Sequence, residues 1–280
     1  MWTDAHIHLY DTRRTTVRWP SPDGPFPKSV YVPDFLAQAG PCGIRRMVSV
    51  ECTVGGPEEV DDWTLTLTRH DPAVAAVIAC ADLTSPAFPW VHGRFLGFPK
   101  YRGIRAGRIP AEKLKAFEEN LSAMAATRAR VVELLMEPKE IDELLPVLAR
   151  HREIRFVLDH VPGCTVGQGP QTEEEKAFLR RAGAAENVYL KVSSYVSRSA
   201  EKPAPETPEA YESLFEACYG AFGREKCIYG SDWPVLETRG RYETGVQVLT
   251  RWLEPLGEAV TDAVMGENCE KVYEADREGL

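Results

Sequence analysis

Eight apolar runs mark the chain, separated by stretches whose apolar residues recur at helical spacing or are broken by proline and glycine. The runs end near residues 9, 52, 82, 106, 136, 160, 195 and 232. They include RRMVSVEC (45–52), AVAAVIACADL (73–83), GFPKYRGIRAG (97–107), RVVELLM (130–136), NVYLKVSSY (187–195) and CIYGSDWP (227–234). Between them, PDFLAQAG predicts a short helix with a glycine stop, and PEEVDDWTLTLTRH an amphipathic one. AEKLKAFEENLSAMAATR is helical, with Leu114, Phe117, Leu121 and Met124 on one face. PKEIDELLPVLARH, QTEEEKAFLRRAG, TPEAYESLFEACYGAFG and a tail from about 242 complete the helical set. Strand–helix alternation implies parallel pairing. Eight such units in 280 residues predict an α/β chain closed as a (β/α)8 TIM barrel, one domain over 1–280. An open doubly wound sheet is the alternative, but it wants a glycine-rich phosphate turn after its first strand, and WTDAHIHLYD has none.

One stretch departs from the alternation. RWPSPDGPFPKSVYVPDF (18–35) holds five prolines, which forbid a regular helix. It reads either as a surface excursion or as a cover that brings Trp19, Phe26 or Tyr31 over the end of the first strand.

Composition narrows the class of partner. The chain is 44% hydrophobic, ample for a sizeable core, and carries a net charge of −9 with no basic stripe. That balance excludes a nucleic-acid partner. No run of 18 apolar residues occurs, and the N-terminus lacks a charged region followed by an apolar one, so no membrane partner and a cytoplasmic location are expected. Seven cysteines form no Cys-x-x-Cys pair, which suits reduced thiols.

Polar residues at strand ends supply the candidate chemistry. His6 and His8 are two apart, so an extended strand sends both imidazoles to one face, with Asp4 beneath them. A His-x-His pair alone is a weak signal. His160 ends RFVLDH, however, and Asp232 ends another apolar run. In a (β/α)8 barrel chemistry sits at the C-terminal ends of strands, so these four groups are expected at one mouth.

Taken together, DAHIHLYD, YRGIR, RFVLDH, YLKVSSY, YGSDWPV and a late GENCEKVY resemble the amidohydrolase superfamily. The likeness is strongest to the amidohydrolase-related branch that includes sugar-acid lactonases and 2-pyrone-4,6-dicarboxylate lactonase, and it spans nearly the whole chain. It implies a distorted TIM barrel with hydrolytic chemistry at its mouth. The family's first-strand histidines match His6 and His8, its sixth-strand histidine His160 and its last-strand acid Asp232. Binuclear members carry a further histidine and a bridging acid or carboxylated lysine. Here His70, His92 and His151 read as loop or helix-end residues, which disfavours a second metal. His6, His8, His160 and Asp232 suit one divalent ion, Zn²⁺ above others, or work without metal as some lactonases of this branch do. Glu133 reads as an extra ligand or, preferably, as the buried partner of an arginine.

The expected reaction is lactone opening, with Asp232 as general base on water and His6, His8 and His160 polarising the carbonyl. Arg105, Ser193, Tyr195, Trp233 and Trp19 are candidates for contacting a small-molecule substrate with a carboxylated ring. Each has a plainer reading: Arg105 as a salt bridge to Glu51 or Glu133, Trp233 as core. Lys191 reads as a deeper ion-pair partner, Asp4 and Asp159 as supporting acids. A metal-dependent decarboxylase or hydratase of the same branch and an inert binding barrel remain alternatives. Association into a homo-oligomer stays open.

Overall fold

Parallel strands with helical returns close on themselves when eight are available, and eight form here. The computed structural model describes residues 1–15, 19–21, 23–52 and 59–274. Strands β1 (Trp2–Ile7), β2 (Ile44–Val50), β3 (Val74–Cys80) and β4 (Tyr101–Ala106) make the first half of the sheet. Strands β5 (Val131–Leu134), β6 (Arg155–Leu158), β7 (Val188–Ser193) and β8 (Cys227–Gly230) make the second. Neighbours in sequence are neighbours in the sheet, and every pairing is parallel. The (β/α)8 barrel that the apolar pattern predicts is therefore the fold.

The seam of the barrel lies where the candidate chemistry lies. Strands β1 and β8 meet through Asp232 N, which donates to His6 O at 2.9 Å, and His8 N, which donates to Trp233 O at 3.0 Å. Most strands end about two residues short of where the apolar runs end. Leu158 and Gly230 are the last ladder residues of β6 and β8, and His160 and Asp232 then adopt φ of 62° and 63°. Positive φ is uncommon for residues with a Cβ. Apolar patterning alone does not register it, so the ladder appears longer in sequence than in space.

Helices cover the outside. Helix α1 (Val32–Ala39) has proline at its second position, and α2 (Glu59–Leu67) and α3 (Phe88–Phe95) follow β2 and β3. Helix α4 (Leu114–Ala125) buries Phe117, Leu121 and Met124 against the sheet, while Leu114 is only half-buried. Helix α5 (Pro138–Leu148) precedes α6 (Glu173–Ala184), which opens on a capping box in which Thr172 Oγ1 accepts from Glu175 N at 3.2 Å. Helices α7 (Glu212–Lys226) and α8 (Tyr242–Leu253) complete the ring.

The helical tail crosses beneath the barrel, ending in α9 (Glu258–Asp262) and α10 (Asn268–Tyr273). Arg46 clasps Glu270 at 2.5 Å, and Arg130 and Arg155 hold Glu274 at 3.0 and 2.5 Å. Tyr273 points up into the barrel and donates to Glu133 Oε1 at 2.6 Å. Among the described residues, no helix is long and apolar enough to cross a membrane.

Candidate active site

Three imidazoles from two parts of the chain converge on one carboxylate oxygen. Asp232 Oδ1 lies 3.4 Å from His8 Nε2, 3.8 Å from His6 Nε2 and 4.0 Å from His160 Nε2. The turn after β8 aims Asp232 inward, and Ser194 Oγ donates to its other oxygen at 2.7 Å. His8 is oriented from behind, its Nδ1 2.9 Å from Val50 O. His160 is oriented by Ser193, whose Oγ lies 3.0 Å from Nδ1 and accepts from the His160 backbone N–H at 3.2 Å. Asp4 supports the strand itself, accepting from His6 N at 3.0 Å, Ser231 N at 2.9 Å and Tyr242 Oη at 2.8 Å.

A second tier of charge lies below. Lys191 Nζ is 2.6 Å from Glu133 Oε1, 3.3 Å from Asp159 Oδ1 and 3.1 Å from His6 Nδ1. Asp159 Oδ2 in turn faces Arg105 Nη1 at 3.8 Å. Continuous ionic contacts thus join the mouth to the barrel floor at Tyr273.

Other candidates fall in varied places. The Trp19 ring stands edge-to-face with His8, their centroids 5.1 Å apart, and packs on Phe26 with centroids 5.2 Å apart, so this part of the proline-rich loop flanks the site. Tyr31 instead donates to Asp11 Oδ2 at 2.6 Å. Residues 18 and 22 of that loop lie outside the described residues. Arg105 is buried against Glu51, donating to its carboxylate at 2.6 Å and its carbonyl at 2.8 Å, so the simple salt bridge is the arrangement found. The cation on Glu133 is Lys191 rather than the arginine favoured from sequence, because Arg105 in the adjacent strand turns to Glu51.

Tyr195 is placed away from the cluster. Its hydroxyl donates to Gly245 O at 2.6 Å, and its ring packs on Tyr211 and Phe215. Strict alternation puts it on the face of Lys191 and Ser193, but β7 ends at Ser193 and Ser194 turns to φ 60°. That turn reverses the next side chain and sends Ser194, not Tyr195, to Asp232. Trp233 packs on Phe35 at 5.9 Å and donates to Glu237 Oε1 at 2.8 Å, away from the imidazoles. His92 is buried in α3, bonded to Tyr101 and Thr127. Nothing in local patterning marks Ser194, because a serine after a strand is ordinary.

Burial and mutual charge set the protonation states. Burial, helped by Lys191, pushes the His6 imidazole well below its usual value, and burial also lowers His160. Burial raises Asp232, but His160, His8 and His6 outweigh it and hold the carboxyl below the usual range. Asp159 is likewise raised by burial and more than offset by Lys191 and His6. Burial drives Glu133 up to about 7 against the pull of Lys191, and Asp4 up to about 6. The mouth therefore holds an ionised carboxylate beside His6 and His160, whose imidazoles burial keeps neutral.

That donor set fits a divalent cation. The Nε2 atom of His6 is buried with no hydrogen-bond partner, and His6, His8 and Asp232 present ligand atoms within 4.8 Å of one another. A tetrahedral centre with bonds of about 2.0–2.1 Å separates its ligands by about 3.3 Å, close to the His8–Asp232 spacing of 3.4 Å.

Comparison with known proteins agrees with this architecture. Residues 3–275 match the amidohydrolase family profile Amidohydro_2. An L-fucono-1,5-lactonase of Burkholderia multivorans is 24% identical over 287 residues, covering 96% of this chain and 95% of that protein. Its counterpart from Burkholderia ambifaria is 26% identical over 294 residues, covering 98% and 96%. A crystal structure of a Burkholderia multivorans amidohydrolase with bound zinc has the same fold. It superposes with a TM-score of 0.83 at 21% identity, over 99% of this chain and 100% of that one.

Proposed function

The chain belongs to the amidohydrolase family, and from that premise we propose that it opens a lactone of a sugar acid or related carboxylated ring. It is a hydrolase of the lactonase type, and the curated relatives act on L-fucono-1,5-lactone by name. The observation that carries the reading is the convergence of three imidazole nitrogens on Asp232 Oδ1 within 4.0 Å.

Lactone hydrolysis needs a base for water and a donor for the oxyanion. Asp232, ionised and held by Ser194, removes a proton as water attacks the carbonyl carbon. The electron pair of the C=O bond moves to oxygen, where N–H groups of the imidazoles receive it. Collapse of that intermediate breaks the ring C–O bond, and Asp232 returns its proton to the departing alkoxide. The product is a hydroxy acid. His6, His8, His160 and Asp232 would hold a Zn²⁺, which supplies Lewis acidity at the carbonyl when bound. Trp19 gives the sugar ring an apolar edge beside His8.

A pH-indicator screen of sugar lactones, with L-fucono-1,5-lactone among them, tests the proposal through acid release. Turnover of a lactone that disappears in Asp232→Asn supports it. No turnover on any lactone, with carbon dioxide released from an unsaturated acid, replaces it with the decarboxylase reading. Metal analysis and chelator treatment then decide the cofactor. Full activity in metal-free protein leaves the imidazoles to act alone.

A further inference from the structure

The two histidines of the first strand are held by different kinds of partner, and those partners dictate which ring nitrogen carries hydrogen. An ammonium has three N–H donors and no acceptor. The fully buried Lys191 has three neighbours for them: Glu133 Oε1 at 2.6 Å, His6 Nδ1 at 3.1 Å and Asp159 Oδ1 at 3.3 Å. Asp159 is the competing partner for His6 Nδ1, but it stands at 3.6 Å, beyond hydrogen-bond range. His6 Nδ1 thus accepts from Lys191. A neutral imidazole that accepts at Nδ1 carries its hydrogen at Nε2, the buried atom that has no partner. His8 Nδ1, by contrast, carries hydrogen, since it faces Val50 O at 2.9 Å and a carbonyl only accepts.

We propose that Lys191 fixes His6 in the Nε2–H form, so that the first strand offers a hydrogen-bond donor from His6 to the pocket. Lys191 is then a positioning residue, acting on the reaction through His6. Use of the His6 donor on a lactone carbonyl rests on the lactonase reading, whereas the hydrogen position does not. It also follows that a metal ion gains His6 as a ligand only by displacing that hydrogen, so Lys191 works against metal binding.

Nitrogen-15 NMR of histidine-labelled, metal-free protein reads the hydrogen positions directly. The expected result is hydrogen on Nε2 of His6 and on Nδ1 of His8; hydrogen on Nδ1 of His6 overturns the proposal. The double variant Lys191→Met, Glu133→Gln removes the ammonium together with its counter-charge. In it, His6 turns to Nδ1–H facing Asp159, and Zn²⁺ binds about tenfold or more tighter. Structural damage moves Zn²⁺ affinity the other way, so unchanged or weaker binding, or an unshifted His6, refutes the role of Lys191. If that variant does not fold, the wild-type spectrum alone still decides. A wild type that turns over no lactone fails the functional reading and leaves the NMR result standing.

Discussion

Asp232 and Ser194 both turn their backbones into the left-handed region, at φ 63° and 60°, and meet where Ser194 Oγ donates to Asp232 Oδ2 at 2.7 Å. Two adjacent strand ends, β7 and β8, break their regular course in the same way to make this one contact. It leaves Asp232 Oδ1 alone facing the imidazoles. Removing the carboxylate and removing its support should therefore differ in degree. Asp232→Asn should lower kcat about 10²- to 10⁴-fold with the fold intact by circular dichroism. Ser194→Ala should lower it about 10- to 100-fold, because one hydrogen bond to a charged group is worth about 1.5–3 kcal/mol. Equal losses in the two would remove the hierarchy.

Gly230 gives the site its closeness. A Cβ there would sit 2.9 Å from His6 Cβ and 3.2 Å from Ser193 Cβ, so both side chains would have to shift. Gly230→Ala should cost about 1–3 kcal/mol of stability and about a hundredfold in kcat. A variant with wild-type kinetics would show that the imidazoles tolerate displacement.

Arg105 is a structural cation in this arrangement. Its side chain and Glu51 are both nearly fully buried, with Nε 2.6 Å from the carboxylate. Burial disfavours its charge, but Glu51 first and Asp159 next overcome this and raise its pKa. Arg105→Met should destabilise the protein by about 3–5 kcal/mol in urea unfolding, since it leaves Glu51 without this buried cation. A raised KM with unchanged stability would instead mark Arg105 as a substrate contact.

His92 makes stability depend on pH far from the mouth. Burial, then Arg128, lower its imidazole from 6.5 to about 4. The unfolded chain thus binds a proton between about pH 6.5 and 4 that the folded chain refuses, and stability falls as pH drops through that window. The contribution is on the order of 2 kcal/mol. His92→Gln should flatten that part of the Tm-against-pH curve, and an unchanged slope would assign it to other groups.

The floor of the barrel predicts a different signature. Tyr273→Phe removes the 2.6 Å hydrogen bond to Glu133, a buried acid already raised to about 7 by burial. A loss of about 1–3 kcal/mol is expected, measured by denaturant titration. No loss would mean that Lys191 satisfies Glu133 by itself.

Much of this was legible in local pattern. Periods of 2 and 3.6 reveal strands and helices because side-chain direction repeats along each element. Eight alternating units were therefore readable, as was the inward face shared by His6 and His8. Strand ends were not, because the ladder stops where a neighbour stops, and the turns at His160 and Asp232 answer to the other wall of the barrel. Tyr195 shows the limit most clearly. Alternation was valid up to Ser193, and one residue with positive φ then reversed the face.

By itself the sequence determined the (β/α)8 barrel, the order of its strands, and which four polar groups arrive at its mouth. Tertiary structure alone decided the partners: Lys191 on Glu133 and His6, Glu51 on Arg105, Ser194 on Asp232. Periodicity is carried by each residue's near neighbours, whereas a buried charge chooses its counter-charge by distance through space, which chain order does not encode.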